Sequence, residues 1–161
     1  SDLSNDYGNL VQRVCSFIYK NCSGKVQNNF SLTNEDEELF NLANQVLQTY
    51  TNYMDNDQID KAIKSIFKLI SAANIYVDKQ APWNLKKINT ERMNTVLSIL
   101  VEIIKRITIM SYPIMPNKSE LLLNYLKYDI DKISFLNIET LPKKEFIINK
   151  PEPLFPKYEK I

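Results

Sequence analysis

Apolar residues recur every three or four positions from Leu3 to about residue 127, and only two glycines, Gly8 and Gly24, interrupt the whole chain. That repeat matches the helical period of 3.6, which puts such residues on one face of a helix. It predicts an all-α bundle of about five helices. The first runs from about Leu3 to Lys20, with Leu3, Tyr7, Leu10, Val14, Phe17 and Ile18 on one side and Gly24 as a stop. The second runs from about Glu35 to Tyr53. Thr33 or Asn34 can cap it, and the acidic run from Glu35 to Glu38 suits the positive end of a helix dipole better than a metal site.

A third helix opens after Asn56 or Asp57, carries Ile59, Ile63, Ile66, Ile70, Ala73 and Val77 on one face, and stops at Pro82. The fourth, from Asn89 or Thr90 to about Tyr112, is apolar nearly all round, so it belongs at the centre of the bundle. Asn117 and Glu120 form a capping-box pattern ahead of a short fifth helix through Leu126. After Tyr128 the repeat fades. Pro142, Pro151, Pro153 and Pro156 predict an extended tail, while Phe146, Ile147, Ile148, Leu154 and Phe155 make it too apolar for a free one. The expected division is a helical domain over residues 1–127 and a C-terminal extension over 128–161. That extension docks on the bundle or on a part of a longer protein.

The chain has no histidine, which removes imidazole base catalysis, the common nucleophilic triads and histidine-based zinc sites. Its two glycines are too few for a phosphate-cradling loop or a dinucleotide fingerprint. No cofactor is therefore expected on this chain. Cys15 and Cys22 stand seven apart and read as free thiols of a reducing, cytoplasmic compartment. No apolar run reaches the roughly 18–20 residues of a membrane span. A formal net charge of +1 argues against a surface that coats DNA or a membrane; any nucleic-acid site is small and local. Arg13, Arg92 and Arg106 are the only arginines and the best candidates for planar, bidentate recognition, although Arg106, inside an apolar helix, reads more simply as a solvated or snorkelling side chain.

Asn5, Asn9, Arg13 and Phe17 are spaced by four on the first helix. Such a stripe can read a nucleobase edge, or it is simply a solvated flank. Trp83, the only tryptophan, follows Pro82 at a helix exit. It is either a platform on which an unpaired base stacks or a plug at the end of the core.

The stretch Ala72-Ala73-Asn74-Ile75-Tyr76-Val77-Asp78-Lys79-Gln80-Ala81-Pro82-Trp83, together with Asn5-Asp6-Tyr7-Gly8-Asn9-Leu10-Val11-Gln12-Arg13, resembles the anticodon-binding domain of methionyl-tRNA synthetases, class I enzymes. The likeness extends from the first residue to about Leu126, and the terminal Pro-Glu-Pro-Leu-Phe-Pro is similar to the tail of many members, which folds back towards the catalytic domain. The resemblance implies roles at the matching positions. Trp83 stacks on the first anticodon base, a cytosine, and Asn9 and Arg13 bond its edge and nearby backbone. Pro82 sets the tryptophan, Asn5 supports the site, and Asp78 matches a position that affects anticodon discrimination. Asn74 and Tyr76 match too, with packing an equal alternative.

The implied partners are the anticodon loop of methionine tRNA and a catalytic domain of the same parent ligase. The family's HIGH-type and KMSKS signatures are absent, so ATP and magnesium are expected on that other domain. Two rivals stand beside this reading: the equivalent domain of a valine, isoleucine, leucine or cysteine enzyme, and a helical protein-interaction module. Trp83 directly after Pro82, with Asn9 and Arg13, argues against the first. The neutral charge favours the second.

Overall fold

The computed structural model describes residues 2–22, 25–27, 31–117, 119 and 145–147. Its helices are α1 (Asp2–Cys22), α2 (Asn34–Asp55), α3 (Ile59–Gln80), α4 (Pro82–Ile88) and α5 (Thr90–Ser111), with short strands β1 (Lys25–Gln27) and β2 (Glu145–Ile147). The long elements follow the apolar repeat closely. The fifth helix expected after Asn117 lies outside the described residues apart from its first positions.

α5 is the central element. Residues on every side of it, among them Val96, Leu97, Leu100, Ile103, Ile104 and Ile107, are removed from water. Two of its buried hydroxyls are satisfied within the helix: Ser98 donates to the Asn94 carbonyl at 2.8 Å and Thr108 to that of Ile104 at 2.7 Å. Tyr7 of α1 pairs with Thr108, and burial pushes its phenol well above the ordinary range. Burial likewise pushes the Cys15 thiol up to about 12, which keeps it neutral and inert.

α2 begins in a capping box: Thr33 Oγ1 accepts from the Asp36 N–H while the Asp36 carboxylate accepts from the Thr33 N–H at 2.9 Å. The acidic run is thus a helix start. A tight link through Asp57, at φ 57°, turns α2 into α3, and the two helices pack along their length. Leu39, Ala43, Val46 and Tyr50 face Ile66, Leu69, Ile70 and Ala73 across the shared core. Ile59 departs from expectation: at the first position of α3 it is 52% exposed, because the core does not extend to the end of that helix.

Three further differences bear on function. First, Pro82 does more than stop α3. Ala81 adopts a left-handed conformation, φ 47° and ψ 67°, and serves as both the C-cap of α3 and the N-cap of α4. Proline at the first position of a helix loses no hydrogen bond and has its φ already set, so the residue that breaks α3 also starts α4. Second, Arg106 is neither solvated nor free to read a ligand. Its side chain is 4% exposed, with Nη1 donating to Asn44 Oδ1 at 2.8 Å, Nε to Glu102 Oε1 at 3.3 Å, and its guanidinium 5.2 Å from the Phe40 ring centre. Third, β1 and β2 pair antiparallel, with Val26 opposite Phe146, and Val26 is fully buried. This pairing joins a piece of the 128–161 stretch to the link after α1.

Candidate nucleic-acid interface

The helical period decides which α1 residues share a face. Steps of four overshoot 3.6, so the stripe drifts around the helix. Asn5, Asn9 and Arg13 are exposed, but Phe17 has rotated into partial contact with the core. The straight polar face follows steps of three and four instead: Asp6, Asn9, Arg13 and Ser16. These residues, with Gln12 and with Asn74 of α3, line a shallow groove of about 560 Å³. Asn5 sits a turn from Asn9 on α1 and does not line the groove. Asp6, Gln12 and Ser16 were missed by reading strict fours, although the 3.6 period was enough to find them.

Arg13 is held from α3. Its Nη2 lies 2.5 Å from Asp78 Oδ1, and its Nη1 donates to Asn74 Oδ1 at 3.5 Å. Asn74 and Asp78 are one helical turn apart, so a single guanidinium reaches both. The side chains of Arg13 and Asp78 are 37% and 66% exposed, so the pair orients the arginine while adding at most about 1 kcal/mol of stability. Tyr76, by contrast, faces the other way. Its hydroxyl donates to the buried carboxylate of Asp36 at 2.6 Å, so its role is structural.

Pro82 is buried and Trp83 is 43% exposed, which answers the choice between plug and platform with a ring that is partly both. The Arg13 guanidinium lies 6.0 Å from the Trp83 ring centre, the outer edge of a cation–π contact. α4 is also tied to the end of α1, where Lys86 donates to Asn21 Oδ1 at 2.7 Å. The groove therefore offers a guanidinium, three amides and a carboxylate, with a flat aromatic face beside the guanidinium. Such a set can stack a planar ring and bond its edge. Among the described residues no group of three or more His, Cys, Asp or Glu could hold a metal ion, and no helix is long and apolar enough to cross a membrane.

A family model for the anticodon binding domain of methionyl tRNA ligase matches residues 26–160. Asn74, Asp78, Pro82 and Trp83 fall inside that match, while Asn5, Asn9 and Arg13 lie ahead of it. Whole relatives cover both halves of the site. A methionine--tRNA ligase of Brucella suis is 36% identical over 159 residues, covering 98% of this chain and 31% of the relative. That of Rickettsia bellii is 36% identical over 169 residues, covering 99% and 32%. Among solved structures, the apo methionyl-tRNA synthetase of Mycobacterium tuberculosis superposes with a TM-score of 0.93 at 27% identity, over 100% of this chain and 33% of that one. Its complex with methionyl-adenylate gives 0.91 at 27% identity, over 98% and 32%. The chain spans about a third of the length of the relatives it matches. Motif pair, helical architecture and relatives agree: the chain belongs to the anticodon-binding domain family of methionyl-tRNA ligases.

Proposed function

We propose that the groove between α1 and α3 reads the CAU anticodon of methionine tRNA. The first base, unstacked from its loop, lies on the exposed face of Trp83. Asn9 and Arg13 bond its edge and the adjacent backbone. Asp78 and Asn74 hold Arg13 in the groove, Pro82 fixes the ring by starting α4, and Asn5 supports from the rim. The observation that carries this reading is the half-exposed Trp83 beside Arg13 at the edge of a groove lined by Asn9. Unpaired RNA bases are recognised in this way, by stacking on an aromatic ring and hydrogen bonding at their edges.

In this reading the domain serves a cytoplasmic methionine--tRNA ligase. Activation of methionine with ATP and magnesium takes place on a separate catalytic domain, and anticodon binding places the acceptor end of the tRNA there. A competition titration with RNA stem-loops tests the reading. Loops with CAU should bind more tightly than loops whose first base is U or G, by about 1–3 kcal/mol for the lost edge contacts. Equal binding of CAU and unrelated loops refutes it.

A further inference from the structure

The segment that carries Trp83 is anchored at both roots by one side chain that lies outside the groove. Arg92, in the first turn of α5, forks onto Asp36 of α2, with Nη1 to Oδ2 at 2.6 Å and Nη2 to Oδ1 at 2.8 Å. The same Nη2 donates to Oε1 of Gln80, the last residue of α3, at 2.9 Å. Gln80 in turn donates through Nε2 to Glu35 Oε2 at 2.6 Å. Asp36 is fully buried and also accepts from the Tyr76 hydroxyl and the Thr33 N–H. Gln80, two residues before α4, and Arg92, four residues after it, are therefore clasped to each other and to the start of α2.

We propose that Arg92 is a positioning residue for Trp83: with Asp36 and Gln80 it closes the roots of the α4 segment, and so holds the ring at the groove edge. Three features require such a clasp. A helix of seven residues is far below the length that is stable alone. Ala81 sits in a left-handed conformation that a non-glycine residue keeps only when its surroundings over-determine it. On α4 itself only Pro82 is buried and Leu85 packs in part against the core, while Trp83 stands 43% in water. Apart from the Lys86–Asn21 bond to the end of α1, the aim of the ring is thus set at its roots. Arginine suits the task because its planar fork fixes direction as well as charge. The proposal rests on Trp83 as the stacking platform.

Because Trp83 is the only tryptophan, its emission reports this ring alone. The test compares the wild-type chain with Gln80→Ala and Arg92→Lys, and with Arg106→Ala as a variant destabilised elsewhere. Time-resolved anisotropy and acrylamide quenching of Trp83 are read first, without RNA. A stem-loop with CAU, and the same loop with its first base changed, are then titrated. In Gln80→Ala and Arg92→Lys the ring should gain fast motion and quench more readily. CAU affinity should fall about fivefold, the cost of ordering a loosened side chain, and discrimination between the loops should narrow. Arg106→Ala should leave ring motion as in the wild type.

If folded Gln80→Ala and Arg92→Lys keep wild-type anisotropy and quenching, the positioning role is overturned. It is equally overturned if Arg106→Ala loosens the ring to the same extent. Should Arg92→Lys fail to fold, Gln80→Ala decides alone, since it leaves Asp36 paired. If the wild type does not distinguish the two loops, the anticodon reading fails, while the motion of the ring still decides the clasp.

Discussion

Replacing Trp83 by alanine separates stacking from structure. With 43% of the residue in water, roughly 100 Å² of its side chain is taken out of solvent on folding, worth about 2.5 kcal/mol at about 25 cal/mol per Å². Compaction of the unfolded chain lowers that to about 2 kcal/mol, against the 3–5 kcal/mol of a fully buried tryptophan. A domain with a typical stability of about 5–15 kcal/mol stays folded after such a loss. On the RNA side, removal of a base-stacking platform costs about 1–3 kcal/mol, or about 5- to 150-fold in affinity. Trp83→Phe retains a smaller ring and should lie between alanine and wild type. A urea melt and a titration with a CAU stem-loop, both on the same protein, give the two numbers. A variant that unfolds, or that binds the loop as the wild type does, refutes the stacking role.

Arg13→Ala should weaken CAU binding about tenfold, as the loss of one directional edge contact, with stability changed by less than about 1 kcal/mol because its partner Asp78 stays solvated; a titration and a urea melt check both, and unaltered affinity refutes the role. Arg106→Ala should instead cost about 3 kcal/mol of stability, since it strips a partner from the buried Glu102, while the folded protein binds the loop as before. Chemical melts between pH 3 and 7 test Asp36. Burial raises its pKa, but hydrogen bonds from Arg92, Tyr76 and the Thr33 backbone outweigh burial and hold it below the ordinary 3.8. A lowered carboxylate stabilises fully above its unfolded pKa, and that contribution disappears as pH falls through the folded value. Stability should therefore fall below about pH 4, and less steeply in Asp36→Asn; identical acid limbs refute this. Truncation after residue 127 removes β2, so the amides of Lys25–Gln27 should exchange at least about tenfold faster, and unchanged protection would count against docking of the tail.

Helix identity was legible because each long helix satisfies its own period. Tyr7, Leu10, Val14 and Ile18 are buried on α1 at the spacing their order predicts, and the nearly continuous apolar run of α5 is buried on all sides. Thr33 caps α2 with a local pattern that needs no distant partner. The motif pair likewise pointed to the correct family from the residues alone, and the matches set aside both the other synthetases and the interaction module.

The partners across helices were not legible, because nothing in local spacing tells which side chains meet after packing. The sequence singled out Arg13 by its motif, but showed no partner for Arg13, Arg92 or Arg106. Packing gives one to a groove with Asp78, one to the clasp on Asp36, and one to the buried Glu102. Pro82 is read locally as a stop, yet the left-handed Ala81 lets the chain start a new helix at that proline. Sequence by itself determined the four long helices, most of their buried faces and the family. Tertiary structure decided which charges are paired and how the tryptophan ring is held. Helices follow from contacts three and four residues apart. Arg13 meets Asp78 across 65 positions and Arg92 meets Asp36 across 56, and only the packed core brings them within reach.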